Sequence, residues 1–302
     1  MTLSHAAENS RAAALMTGSM AFFAVEDLFL KRAAEALPPG QVLALTGAAG
    51  ALVFWALAAR RGERVLSTQA LRGVPLLRTL AEAGAAMFYI VALALAPLSM
   101  TSALLQASPL VVVAGAALFL GEKVGWRRWA SILAGFAGVL VILSPWDADF
   151  DPTGILTVLC VLVLAVRDLA TRVMPREIGT FQVSAWAYLG LVPAGTALMA
   201  IMGQGFVMPA PMQWAGLAGA LVAGLFGYYA VVAAMRLGEV SVVAPFRYTR
   251  LVFAVVLSMV FLAERPSLST CIGAAIVVGS GLYAFARERM RNRRLPLDTE
   301  GG

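Results

Sequence analysis

The sequence predicts an all-α integral membrane protein of ten transmembrane helices in two inverted five-helix repeats. Three observations predict it. The 302 residues are 60% hydrophobic and 13% charged, with mean hydropathy +0.82, whereas a soluble domain carries about 25% charged residues. The apolar residues fall in stretches long enough to cross a bilayer, which takes roughly 20 residues per helix. The two halves also share short segments in the same order at a nearly constant offset.

Ten helices would use about 200 residues, and the remainder, divided among two tails and nine connections, leaves no room for a soluble catalytic domain. The expected spans in the first half are Ala12–Leu30, Gln41–Ala59, Val74–Leu95, Leu98–Leu120 and Trp126–Leu143. In the second they are Thr153–Val173, Phe181–Met202, Gln213–Leu237, Val240–Leu262 and Leu268–Ala286. Ala83 to Gly121 holds no charge, and only Ala96-Pro97 divides it. The organisation is a tail (1–11), a first repeat (12–144), an outer linker (145–152), a second repeat (153–286) and a basic tail (287–302). The first apolar stretch contains Glu26 and Asp27 and no cleavage site, so it reads as an uncleaved span rather than a signal peptide.

Basic residues set the orientation. With the N-terminus inside, sixteen Lys and Arg fall on the cytoplasmic side: Arg11, Arg60, Arg61, Arg64, Arg72, Lys123, Arg127, Arg128, Arg172, Arg176, Arg236, Arg287, Arg289, Arg291, Arg293 and Arg294. Only Lys31, Arg32 and Arg265 fall opposite, where the linker carries Asp147, Asp149 and Asp151. Both termini are therefore expected in the cytoplasm. This bias accounts for the net charge of +6 without a nucleic-acid partner. Cys160 and Cys271 are isolated in apolar stretches and give neither a disulfide framework nor metal-ligand spacing.

The halves match at three places. Ala24-Val25-Glu26-Asp27-Leu28 aligns with Ala165-Val166-Arg167-Asp168-Leu169, and Gln41-Val42 with Gln182-Val183, both 141 residues apart. Phe119-Leu120-Gly121-Glu122-Lys123 aligns with Phe261-Leu262-Ala263-Glu264-Arg265 at an offset of 142. Five helices is an odd number, so the second repeat is upside down relative to the first. Inverted repeats are a recurring carrier architecture with the solute site near the midplane.

A charge at the centre of a membrane helix costs roughly 2.5–3.5 kcal/mol even on the permissive insertion scale, so polar residues within the spans need a purpose. Glu26, Asp27, Arg78, Glu82, Arg167, Asp168, Arg247 and Arg250 are four acids and four bases. Arg78 and Glu82 share a helix face, as do Asp168 and Arg172. In this topology Arg78/Glu82, Arg167/Asp168 and Arg247/Arg250 lie toward the cytoplasmic side and Glu26/Asp27 toward the outer side. The inner set reads either as a gate whose ion pairs break on opening or as static pairs near the interface. Arg78, Glu82 and Tyr89 form one stripe on the third helix. With Gln106 before Pro109, Trp186, Tyr228, Tyr248 and Arg247, they are candidates to line a cavity for a small amphipathic solute; the alternative for each aromatic is lipid exposure or packing. Trp55, Trp126, Trp129, Trp146 and Trp214 lie near span ends, as interfacial anchors do.

The five-helix repeat and the Gly121-Glu122-Lys123 and Ala263-Glu264-Arg265 endings resemble the EamA-domain family of the drug/metabolite transporter superfamily, over roughly Ala12 to Ala286. Within it the chain is most similar to YddG-type exporters of aromatic amino acids. Ala263 departs from the Gly-Glu ending. The resemblance implies ten helices, alternating access about a central cavity, and export of small metabolites across the bacterial inner membrane. No Gly-x4-Gly-Lys-Ser/Thr loop is present to bind a nucleotide. The drive is then a solute gradient or protons, with Glu26 or Glu82 as the titrating group.

The expected function is a secondary exporter of amino acids, aromatic ones first, or related metabolites. A zwitterion would set its carboxylate near Arg247 or Arg250 and its ammonium near a buried acid. Its partners are that solute, the bilayer and, where coupled, protons; no cofactor or metal is implied, and a monomer suffices to enclose a cavity. The alternatives are a multidrug or cation exporter that uses Glu26 and Asp27, and a membrane-embedded enzyme. Against the enzyme, His5 is the only histidine, and neither His-Glu-x-x-His nor Gly-x-Ser-x-Gly occurs.

Overall fold

The structure, a computed structural model, describes residues 2–292 except 123, 149, 176, 238 and 239. Lys123, Asp149, Arg176, Arg293 and Arg294 therefore lie outside the described residues, as do the side chains of His5, Arg236, Arg289 and Arg291.

Apolar runs become helices because a backbone in lipid must satisfy its own hydrogen bonds. The helices are α1 (Thr2–Ala36), α2 (Pro39–Arg60), α3 (Gly73–Leu95), α4 (Leu98–Leu105), α5 (Ser108–Phe119) and α6 (Trp126–Leu143) in the first half. The second half holds α7 (Gly154–Arg172), α8 (Thr180–Ile201), α9 (Pro211–Leu237), α10 (Val240–Val243), α11 (Thr249–Phe261) and α12 (Leu268–Asn292). They make ten spans, because α4 continues into α5 and α10 into α11. The face at which α1 begins is called the terminal face below.

Two spans are broken, and the breaks are repeat mates. Pro109 ends α4 at Gln106–Ala107, and Pro245 forces a 3-10 turn over Ala244–Tyr248. Gln106 and Tyr248 are 142 residues apart, and Gln106 Nε2 donates to the Tyr248 carbonyl at 3.3 Å. Helix pairing follows the same symmetry: α2 packs on α8 and α6 on α12, while α1 with α9 is the mirror of α7 with α3. Glycine permits the first contact. Gly40 and Gly195 touch backbone to backbone, and a Cβ on either would run into the other's carbonyl oxygen.

The matched Gln residues do matched work. Gln41, at the start of α2, donates to the Val207 carbonyl at 2.6 Å and accepts from Val207 N at 2.8 Å, holding the α8–α9 loop. Gln182, at the start of α8, donates to the Arg64 carbonyl at 2.7 Å, holding the α2–α3 loop at the terminal face.

The first span is longer than the sequence suggests. It runs to Ala36 rather than Leu30, and Lys31 and Arg32 are helical rather than loop residues. Lys31 Nζ donates to the Leu93 and Ala96 carbonyls at 3.0 and 2.9 Å and pairs with Glu35 at 3.0 Å. Arg32 donates to the Phe261 carbonyl. Each base thus satisfies carbonyls left open where α3 or α11 ends, which is favourable placement for a cation.

The Glu-containing endings are also explained. Gly121 and Ala263 both have positive φ, 69° and 53°. Past them the chain turns back, with Glu122 N bonding Ala116 O at 3.2 Å and Glu264 N bonding Ser258 O at 3.1 Å, the closure of a left-handed helix cap. Ala263 adopts a conformation better suited to glycine. The Glu264 carboxylate then caps α4, accepting from Leu98 N at 2.8 Å, Ser99 N at 3.1 Å and Ser99 Oγ at 2.9 Å. Glu122 meets Arg172 at 2.8 Å on the terminal face.

Candidate functional site

A cavity of about 330 Å³ lies inside the bundle between α1, α2, α3, α7, α8 and α9, and so draws its walls from both repeats. Its polar centre is Glu82. Arg167 Nη1 donates to both Glu82 oxygens at 3.1 and 3.2 Å, and Arg78 Nη2 meets Glu82 at 3.3 Å. Arg167 also pairs with Asp168 at 2.8 Å, and Arg78 Nε reaches Thr171 Oγ1 at 3.3 Å. Two guanidiniums and two carboxylates neutralise one another here, which lowers the cost of holding charge away from water.

Aromatic rings form much of the remaining wall. Phe54 stands 5.2 Å from Tyr188 and edge-on to Tyr228 at 5.4 Å. The Tyr228 hydroxyl lies 3.3 Å from Ser184 Oγ. Gly50 leaves the space that the Tyr188 ring occupies. Phe23, Glu26 and Tyr89 complete the wall on the side of α1 and α3.

A second polar network sits behind this wall. Asp27, with only 2% of its side chain exposed, receives Arg250 through contacts of 2.7 to 3.0 Å and the Tyr89 hydroxyl at 2.6 Å. Arg250 also lies 5.4 Å from the centre of the Phe23 ring, within cation–π range.

Of the sequence candidates, Glu26, Arg78, Glu82, Tyr89, Arg167 and Tyr228 line one cavity. The others do not. Trp186 is buried with its indole donating to the Val65 carbonyl at 2.6 Å, away from the cavity. Gln106 and Tyr248 join the two helix breaks. Arg247 is exposed and does not line the cavity. Arg250 bonds Asp27 rather than joining Arg247 in an inner cluster. Asp168 pairs with its neighbour Arg167, and Arg172 with Glu122, so the Asp168–Arg172 spacing is not used. Sequence reasoning missed Phe54 and Tyr188; Ser184, Tyr188 and Leu191 recur at helical spacing on one face of α8, which was the available signal.

Ten spans in inverted halves around a polar and aromatic cavity make the build of a membrane transporter for small solutes. The chain belongs to the EamA-like transporter family, whose model matches residues 10–144 and 152–285. Its relatives differ in what they carry. It is 31% identical over 209 residues to a riboflavin transporter of Rhizobium johnstonii, covering 68% of each chain. It is 26% identical over 197 residues to an S-adenosylmethionine uptake transporter of Rickettsia prowazekii, covering 65% of this chain and 66% of the other. It is 27% identical over 260 residues to a pseudopaline exporter of Pseudomonas aeruginosa, covering 85% of this chain and 89% of the other. A solved crystal structure shares the fold, with TM-score 0.64 and 23% identity over 95% of this chain and 99% of its own. These relatives establish transport of small metabolites and do not single out aromatic amino acids.

Proposed function

We propose that the protein is a secondary carrier of the bacterial inner membrane, with both termini cytoplasmic, that exports amino acids or related small metabolites bearing an aromatic ring. The observation that carries the proposal is the cavity: a volume of about 330 Å³ with Phe54, Tyr188 and Tyr228 on one side and the Arg78–Glu82–Arg167 set on another. Pockets of this class are apolar with a few converging polar groups, and offset rings favour a flat solute. Alternating access is supported by the repeat-related helix breaks and by the ties at the face opposite the termini. Lys31, Arg32 and Glu264 hold that end together through helix-terminal groups, and we take the terminal face as the route in.

Purified protein in liposomes, challenged with a panel of amino acids at imposed pH gradients, tests the proposal. Saturable efflux of aromatic solutes is expected, and a pH gradient reveals whether protons drive it. A carrier indifferent to every aromatic solute on the panel contradicts it. Uptake of a neutral flavin is the second reading, favoured by the identity to the Rhizobium johnstonii riboflavin transporter; riboflavin belongs on the same panel.

A further inference from the structure

A second hollow, of about 450 Å³, lies at the face opposite the termini, where α1, α3 and α8 end. Its walls include Ala34, Glu35, Leu37, Val91, Ala94 and Met202. On two helices it comes within one turn of the central cavity. Leu30 and Ile90 line the cavity, and Ala34 and Ala94, four positions further along α1 and α3, line the outer hollow. Four residues give about 6 Å of rise and return to the same side of a helix.

The layer between the two hollows is apolar. Leu37, Val42, Leu43, Ile90, Leu198 and Leu217 are the large members of one buried cluster built from α2, α3, α8, α9 and the turn after α1. Leu43 and Ile90 also face the cavity, and Leu37 faces the outer hollow. No other apolar cluster among the described residues reaches both hollows. The polar ties at this end stop on either side of the layer. Lys31 and Arg32 bind α1 to the ends of α3 and α11, and Gln41 binds α2 to the loop after α8. Among the described residues, no side-chain hydrogen bond or ion pair at this end joins α1 or α3 to α2 or α8. A joint made only of apolar contacts parts without stranding a buried polar group.

We infer that the solute passes between the cavity and the outer face through this joint, with α1 and α3 on one side and α2 and α8 on the other. Leu37, Leu43 and Ile90 are the side chains it displaces on the way. The inference rests on the reading of the central cavity as the transport site, and it adds the path and the residues that close it.

Two measurements on the full-length protein in oriented vesicles test it, both in a Cys271→Ser background. The first needs no solute. Thr46→Cys, in the cavity wall, reports arrival of a membrane-impermeant maleimide from the face opposite the termini. Leu43→Ala and, separately, Ile90→Ala should each speed that reaction by roughly 10- to 100-fold, because truncation removes contacts made only while the joint is closed. Leu110→Ala, a comparably buried truncation in the cluster between α5, α6 and α12, should leave it unchanged. The second follows flux of phenylalanine and of riboflavin. Complete modification of Ala94→Cys, in the outer hollow, by a bulky maleimide should abolish the flux. The same reagent on Ser267→Cys, exposed between α11 and α12 at the same face, should not. Labelling that neither Leu43→Ala nor Ile90→Ala speeds, or that Leu110→Ala speeds equally, overturns the inference, as does flux that survives modification at position 94. Labelling that responds as expected in a protein carrying neither solute supports the path and removes the aromatic-solute reading instead.

Discussion

The Asp27–Arg250 pair makes the sharpest prediction about what holds the bundle together. Asp27 is almost wholly buried and takes contacts of 2.7 to 3.0 Å from Arg250 plus 2.6 Å from the Tyr89 hydroxyl. Asp27→Leu leaves an uncompensated guanidinium in a low-dielectric setting, and Arg250→Met leaves an uncompensated carboxylate; each should cost about 3–5 kcal/mol. The double substitution removes both charges, and replacement of a buried pair by apolar groups is often neutral, so it should be more stable than either single change. Tyr89 then lacks its acceptor, worth about 1 kcal/mol, and Tyr89→Phe in the same background should recover that part. Denaturant unfolding of purified protein in detergent, followed by tryptophan fluorescence, supplies the measurement. A double variant no more stable than the weaker single one would refute the reasoning, because the cost would then lie in lost packing rather than in stranded charge.

Three further outcomes follow from the same geometry. Ala263 holds φ 53° where its repeat mate is Gly121, so Ala263→Gly should stabilise by about 1 kcal/mol in the same unfolding assay. Gly40→Leu drives a side chain into the Gly195 carbonyl and should cost at least about 1–3 kcal/mol, while Gly18→Ala, with open space around it, should change stability by under about 0.5 kcal/mol. Glu264→Gln weakens a charge-assisted cap on three donors; a loss of about 1.5–3 kcal/mol at the tied face would raise the population open there by roughly 10- to 100-fold, readable as faster labelling from that face of a cysteine placed at Thr46 in the cavity wall.

Much of the fold is legible in the sequence because bilayer thickness and backbone satisfaction leave one solution for each long apolar run. The helix breaks at Gln106 and Tyr248 are legible too, through Pro109 and Pro245. Lys31 and Arg32 are not. A count of basic residues treats each as hydrated, and nothing local shows that the carbonyl ends of α3 and α11 will come to rest against them. Arg172 illustrates the same limit: four-residue spacing offers it Asp168, but the fold brings Glu122 from another loop, fifty positions away. In the cavity, Arg78, Glu82 and Tyr89 are visible as one helical stripe. Arg167 joins them only through the packing of α7 on α3, and Tyr188 only through the gap at Gly50. Trp186 has the residue type of a cavity wall, yet its indole is turned to the α2–α3 loop, and rotation about a helix axis is fixed by neighbours that sequence spacing does not specify.

Single-cysteine labelling tests most directly whether the cavity between the repeats opens to one face at a time. Thr46 lines the cavity, Cys271 is exposed and Cys160 is buried, so Thr46→Cys in a Cys271→Ser background gives one reporter. In oriented vesicles a membrane-impermeant maleimide should modify it from the terminal face and not from the opposite face, and Glu264→Gln should add reaction from that opposite face. Faster modification from the opposite face than from the terminal face, or none from either, would contradict a cavity that rests open to the terminal face.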